Sequence, residues 1–420
     1  MSAPLYGGGL PMLMASPLDE VLTAAEPMAW PKLGDRTLCD ACLGRLMGKA
    51  GHGLTNPERG RGTRERFRLA TDGECWVCHG LMDELDEFLD LAAGRLAEWE
   101  FSTFLVGSRV DPEIVAREEA LWTELGAAHA EAIKSELNRE IGKRLADRMG
   151  KEPDFGHPDV VAIIETAFGT VEVQVNPLFV RGRYRKLVRG IPQTRWPCKR
   201  CRGKGCDHCG GKGKMYETSV EEIVAAAIIA QTGGSGHALH GMGREDVDAR
   251  MLGRGRPFIV EIKEPKRRTV DLANVATAVN ASGLVEVEDL RPATGDEVVT
   301  IKEERAGKVY RVLVRFGAPV EDEKLKRGIA SLLGRPIAQR TPARVSHRRA
   351  DRVRERVVSS IDVARSDGAT AELRVTAEAG TYVKELVHGD QGRTTPSLAE
   401  ALDVACEVLE LDVLEIQDTG

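Results

Sequence analysis

The chain has no apolar run approaching the roughly 20 residues that a membrane helix needs, so no membrane partner is expected. Its opening, MSAPLYGGGLPMLMASPLDE, lacks both a basic n-region and a long apolar h-region. A secretory leader is therefore not expected. Residues 1–30 read as a disordered leader, and the location reads as cytoplasmic. An excess of positive charge is also missing: 59 Lys and Arg stand against 65 Asp and Glu, a net charge of −6. As a whole, the chain does not advertise a polyanion partner. What it has is length and an ordinary globular composition. With 420 residues it exceeds one ordinary core, and 42% hydrophobic with 30% charged residues is normal for a soluble protein. Two or three domains are expected.

Cysteine is plentiful and arranged. Eight of the nine cysteines fall into four CxxC pairs. In a chain without a secretory signal, that pattern favours metal over disulfides. Cys39, Cys42, Cys75 and Cys78 form a first set, with 32 residues between its two pairs. Each CxxC turn can present two thiolates to one ion, and two turns complete a tetrahedron with no open position, so a structural zinc is expected. His79 adjoins Cys78 but is not needed as a ligand. Cys198, Cys201, Cys206 and Cys209 form a second set, spaced CxxC-x4-CxxC. So compact a unit has almost no apolar residues and could hardly fold without a metal or a neighbouring surface. Lys199, Arg200, Arg202 and Lys204 interleave with these ligands, which suggests a zinc-ordered loop that contacts RNA. One or two structural zinc ions are expected. Cys406, within the apolar stretch LAEALDVACEVLEL, reads as a buried core residue.

Charge is patterned along the chain. From 173 to 206 there is no Asp or Glu but ten Arg or Lys. Like charges so dense repel unless a polyanion neutralises them, so Arg181, Arg183, Arg185, Lys186 and Arg189 read as a phosphate-contacting surface.

The element pattern predicts a helix over 81–98, a strand over 101–110 and a long helix over 113–149. Within the last, Ile133, Leu137, Ile141 and Leu145 recur on one face. PDVVAIIETAF (158–168) reads as a helix and VEVQVNPLFV (171–180) as a strand. From 217 the texture changes. TSVEEIVAAAIIAQ reads as a helix capped by Thr218 or Ser219. RPFIVEIKEP, GLVEVEDLRP, DEVVTIKEERAGKVYRVLVRFG, ATAELRVTAEAGTYVKELV and LDVLEIQD supply β-rich segments, with helices such as 319–333 between them. This is α+β texture with a mostly antiparallel, mixed sheet.

The stretch GREDVDARMLGRGRPFIVEI (243–262) is the most unusual. Arg244, Arg250 and Arg254 surround Asp246 and Asp248, glycines flank the group, and a strand follows. On composition alone it is either a salt-bridged surface turn or a carboxylate kept ionised by guanidinium groups. The segment resembles the catalytic Gly-Arg-x-Asp turn of pseudouridine synthases. Two further motifs follow in the expected order. KVYRVLV (308–314) resembles the strand that supplies the base-stacking tyrosine, and AGTYVKELV (379–387) resembles the motif that supplies a cation beside the aspartate. NPLFVRGRYRKLVRGIPQTRWPC, TSVEEIV, HGMGREDVDARMLGRGRPF, KELVHGDQGRTTPS, CDACLGRLMG and CWVCHGL extend the likeness over residues 35–420. They are similar to the archaeal-type family that makes pseudouridine in the TΨC arm of tRNA. Glu245 departs from other pseudouridine synthases, where Leu or Thr is usual, but is normal in this family.

The resemblance implies a zinc-containing, THUMP-like tRNA-binding domain of α/β type over 31–195. It implies a four-Cys linker module over 196–216 and a pseudouridine synthase catalytic domain over 217–420. It implies Asp246 as catalytic carboxylate, Lys384 as the cation that keeps it anionic, and Tyr310 stacked on a flipped base. Tyr382 would join the substrate site, and Arg244 would fill the vacated place in the RNA stack. The substrate would be uridine 54, uridine 55 or both. The partner would be tRNA and the protein a monomer, with no organic cofactor, because the isomerisation has no redox step. A non-catalytic, zinc-dependent RNA-binding protein would explain the cysteines and the basic run, but not Asp246, Tyr310 and Lys384 together. Another THUMP-bearing tRNA enzyme, a methyltransferase or thiolase, would need a Gly-rich nucleotide loop after a strand, and none stands in that context.

Overall fold

The computed structural model describes residues 16–348 and 350–418. The chain divides into two compact units, Met1–Asn176 and Pro177–Gly420.

The first unit opens with helix α1 (Pro17–Ala25), which carries a Ser16–Asp19 capping box and a Pro at its first turn. Val21 and Ala25 are buried, so residues 16–30 are part of the fold rather than a disordered leader. The rest of the expected leader lies outside the described residues. Short α2 (Asp40–Arg45) and α3 (Asn56–Phe67) pack closely: a Cβ on Gly44 or Gly60 would run into the other helix's backbone. Helix α4 (Leu85–Leu96) and strand β1 (Thr103–Arg109) fall within the expected ranges. The expected long helix is two: α5 (Pro112–Leu125) ends on Gly126 at φ +71°, and α6 (Ile133–Met149) restarts beyond it. A left-handed glycine ends a helix because no Cβ opposes that conformation. In α6, Ile133, Leu137, Ile141 and Leu145 are buried together as their spacing requires. After β2 (Glu152–Pro153) comes β3 (Val160–Glu165), where the sequence reading placed a helix. Val160, Ala162 and Ile164 are fully buried and alternate with half-buried neighbours, and four β-branched residues in the run favour the pleated surface. With β4 (Thr170–Val175) these strands form a sheet in the order β2-β1-β3-β4, in which β1 runs parallel to β2 and β3 while β4 is antiparallel.

The second unit begins with β5 (Leu178–Lys186), followed by α7 (Val220–Thr232), β6 (Gly236–Gly241) and the long β7 (Arg250–Lys263). Ser219 caps α7. Next come α8 (Leu272–Asn280), β8 (Val285–Ala293), α9 (Gly295–Glu303) and β9 (Gly307–Phe316). Residues 295–303, read as β-rich, are helical because Thr294 and Glu297 form a capping box. Then follow α10 (Asp322–Ala330), β10 (Ile337–Arg340), β11 (Val353–Arg356), β12 (Val358–Ser366) and β13 (Thr370–Ala377). Finally α11 (Val383–His388), β14 (Thr394–Thr395), α12 (Leu398–Leu402) and β15 (Cys406–Gln417) complete the unit.

The main sheet runs β12-β13-β9-β15-β7-β5-β8, with β6 also paired to β7. Every pairing is antiparallel except the short β15–β7 contact, as the mixed-sheet expectation required. A small sheet, β11-β10-β14, stands apart. Strand β5 sits between β7 and β8, so the boundary lies at 176/177 and not at 195. Cys406 is buried in this core.

Candidate active site

The loop 242–249 joins β6 to β7. Gly243 has φ +75°, and a Cβ there would come within 3.2 Å of the Arg256 guanidinium. Two consecutive residues then split between core and solvent. Glu245 is buried: Tyr184 Oη donates to both its oxygens at 2.9 and 2.8 Å, and Arg256 Nε donates at 2.9 Å. Gln193 Nε2 ties the network to the loop, donating to Tyr184 Oη at 2.9 Å and to the Gly243 carbonyl at 3.1 Å. From β5, Lys186 Nζ donates to the carbonyls of Ile191, Asp246 and Val247 at 2.9, 3.0 and 3.3 Å. Burial pushes the Lys186 ammonium down, opposed by the charge of Glu245. Removing one partner of such a buried pair costs about 3–5 kcal/mol, because the other is left uncompensated. Glu245 therefore pins the loop, and Asp246 emerges from it half-exposed.

Asp246 faces a cavity of about 400 Å³ lined by Arg244, Tyr310, Arg344, Tyr382 and Lys384 as well. Arg344 Nη1 donates to Asp246 Oδ1 at 2.9 Å, while its Nε donates to the buried Glu385 at 2.7 Å. Lys384 Nζ stands 3.5 Å from Asp246 Oδ2 and makes shorter bonds, 2.8 and 2.7 Å, to Asp248. The expected Lys384–Asp246 pair is thus present but long, and Arg344 is the closer cation. At Asp248 burial opposes ionisation, yet the hydrogen bonds and charge of Lys384 outweigh it and hold the carboxyl below its usual range. Tyr310 is 8% exposed, and burial pushes its phenol up to about 12, so it stays neutral. Lys308 lines the same cavity; burial first, and then the Arg256 charge, push it down to about 8. Tyr382 caps α11, its backbone held both ways by Gln339 at 2.8 and 2.9 Å. The Arg244 guanidinium lies 5.0 Å from the Trp196 ring centre. A carboxylate between two cations, beside a neutral buried phenol, is an arrangement that can meet a flat ring entering the cavity.

The basic run is not the open phosphate surface expected. Arg183 and Lys186 are buried, and Arg183 donates to Asp418 and to the carbonyls of Arg254 and Gly255. Arg181 pairs with Glu297, Arg185 with Glu286, and Arg189 with Glu410 and Asp412. The run lacks acids only along the chain, since the fold brings those that meet Arg181, Arg183, Arg185 and Arg189 from a hundred or more residues away. Lys199, Arg200, Arg202 and Lys204 of the second cysteine module are exposed.

Both cysteine sets are closed clusters: in each, all four sulfurs lie within 4.8 Å of one another. Four ligands about 2.3 Å from one ion stand about 3.8 Å apart, and the sulfur distances of 3.7 Å in the first set and 3.8 and 3.9 Å in the second match that. Both sets fit a tetrahedral metal. His79 pairs with Glu74 instead of joining the first set. The second set is closed by backbone N–H groups of Gly205 and Gly213, 3.2 Å from Cys201 and Cys209 sulfurs. Gly213 has φ +68°, and a Cβ there would sit 2.3 Å from the Gly203 carbonyl oxygen.

The Pus10 C-terminal family model matches residues 179–417, and the archaeal Pus10 THUMP model matches residues 88–165. Curated relatives match over most of the chain. The tRNA pseudouridine synthase Pus10 of Methanothrix thermoacetophila is 44% identical over 414 residues, 90% of this chain and 91% of that one. Its counterpart in Methanothermobacter marburgensis is 46% identical over 393 residues, 91% and 96% of the two chains. Arg344, Glu385 and Lys308 were not foreseen from sequence. Arg344 lies in an arginine-dense stretch, GRPIAQRTPARVSHRRADRVRER, where nothing local singles it out.

Proposed function

The chain belongs to the Pus10 family, and we propose that it is a tRNA pseudouridine synthase that isomerises uridine 54, uridine 55 or both in the TΨC loop, with Asp246 as the catalytic carboxylate. The observation that carries this reading is the cavity in which Asp246, Tyr310 and Lys384, three motifs far apart in sequence, come together. The reaction breaks the N-glycosidic bond, turns the uracil, and rejoins it through carbon. The target must leave its stack to reach Asp246. Asp246, as nucleophile at the sugar or as base at the C2′ proton, needs its negative charge. Arg344 and Lys384 stand beside its carboxylate, and the Lys186 and Glu245 contacts fix the backbone from which it projects. Tyr310 stacks on the flipped base, Tyr382 borders it, and Arg244 takes the vacated place in the RNA. Zinc, as one or two ions, would be held by Cys39, Cys42, Cys75 and Cys78 and by Cys198, Cys201, Cys206 and Cys209, and would serve structure alone. Folded tRNA is held by shape and phosphates. Arg181, Arg185 and Arg189 would reach phosphates only by exchanging their present acid partners. The protein acts in the cytoplasm as a monomer.

The test is to incubate the protein with an unmodified tRNA transcript and map pseudouridine by carbodiimide labelling. Adducts are expected in the TΨC loop, and their absence would sink the reading.

A further inference from the structure

The second cysteine module lies between two aromatic residues. Trp196 precedes it and Tyr216 follows it, and their rings meet edge to face at 5.4 Å and 79°. The two legs are zipped below the cluster. Met215 N donates to the Trp196 carbonyl at 2.9 Å, Pro197 bridges Lys214, and Cys198 N donates to the Gly213 carbonyl at 2.8 Å. None of the four cysteines belongs to the apolar core of this unit. Order in the loop between the legs therefore depends on whatever joins the four sulfurs. The Arg244 guanidinium lies over the Trp196 ring, 5.0 Å from its centre, and Arg244 lines the cavity two residues before Asp246.

We infer that the second four-cysteine module is a positioning element for the active-site loop: the metal-closed legs hold Trp196, and Trp196 holds the Arg244 side chain at the cavity wall. The inference rests on the proposed function for what Arg244 then does. An arginine side chain loses rotamer freedom when fixed, and stacking on an indole face supplies the restraint before RNA arrives. The exposed Lys199, Arg200, Arg202 and Lys204 suggest another role for the module, as an RNA-contacting loop, and the two roles separate in kinetics. A positioning module acts on kcat. A phosphate-contacting loop acts on KM and on its salt dependence.

The experiment uses the full-length, metal-loaded protein labelled with 5-fluorotryptophan. The chain has five tryptophans, so five fluorine resonances are expected, and Trp196→Phe identifies the relevant one. Arg244→Ala and Cys206→Ser should each shift that resonance and leave the other four in place. In steady-state assays Trp196→Ala should lower kcat about fivefold, with KM for tRNA within about twofold, while Trp196→Phe stays near wild type. In an Arg244→Ala background, Trp196→Ala should add nothing. A Trp196 resonance unmoved by Cys206→Ser would overturn the inference, as would a Trp196→Ala defect confined to KM. The resonance arm needs no turnover. A wild-type protein that makes no pseudouridine would therefore sink the proposed function and leave this inference to be decided by the spectra.

Discussion

Strand β5 and the loop 243–248 are both rich in arginine and lysine or face such residues, yet the fold uses their cations oppositely. Along β5, Arg183 and Lys186 are buried and bound to carbonyls and acids of the same unit. Around the loop, Arg244, Arg344 and Lys384 border a cavity, and Arg344 and Lys384 converge on one half-exposed carboxylate. The lesson is that a cation's role depends on which acid the fold brings to it. β5 cations hold the loop from behind, and cavity cations hold its carboxylate from the front.

That division can be broken by substitution. Lys186→Met should show the largest change, a loss of about 3 kcal/mol in unfolding free energy by denaturant titration, since three carbonyls and Glu245 lose a buried cation. Wild-type stability with lost activity alone would move Lys186 to the cavity side. Lys384→Met and Arg344→Ala should reverse the pattern. Each should lower kcat about 10²-fold, because both border Asp246; the melting midpoint should stay within a few degrees for Lys384→Met, while Arg344→Ala, which strips the buried Glu385 of its cation, should lower it as well. Arg185→Ala should be milder, less than about 1 kcal/mol in stability, as expected for a surface pair. It should also leave the salt dependence of tRNA binding unchanged. A slope reduced by about one unit would place Arg185 on the RNA.

The smallest effect concerns Lys308, which lies between the two classes: it faces the cavity, and its Nζ donates to the Ala306 carbonyl at 3.0 Å. Burial and the Arg256 charge put its folded value at about 8 against the ordinary 10.5. Between those two values the unfolded chain holds more protons, so stability gained through this residue rises with pH across that window. Lys308→Met should flatten the rise in melting midpoint between those pH values, and an identical wild-type and variant profile would contradict the assignment.

Much of this was legible in sequence, for physical reasons. The CxxC spacings announce closed clusters because four sulfurs around one ion leave few alternatives. The four-residue rhythm of α6 announces one buried face. GREDVD, KVY and GTYVKEL announce a site through their resemblance and order, and Asp246, Tyr310 and Lys384 from these motifs line one cavity. What sequence hid is pairing at a distance. The acid-free run at 173–206 looked like a phosphate surface because Glu297, Asp418, Glu286 and Asp412 are a hundred or more residues away. Arg344 was hidden for the same reason, reaching Asp246 across 98 positions. The helix expected at 158–168 failed because its apolar residues also satisfy a two-residue period, and burial in the sheet decided between them.

The most direct measurement is turnover of Asp246→Asn against Asp248→Asn on the same tRNA transcript, with both variants confirmed folded. Asp246→Asn should lower kcat by at least about 10³-fold, while Asp248→Asn, whose carboxylate only shares Lys384, should retain most activity. Substantial turnover by Asp246→Asn alongside loss in Asp248→Asn would contradict the assignment of Asp246 as the catalytic carboxylate.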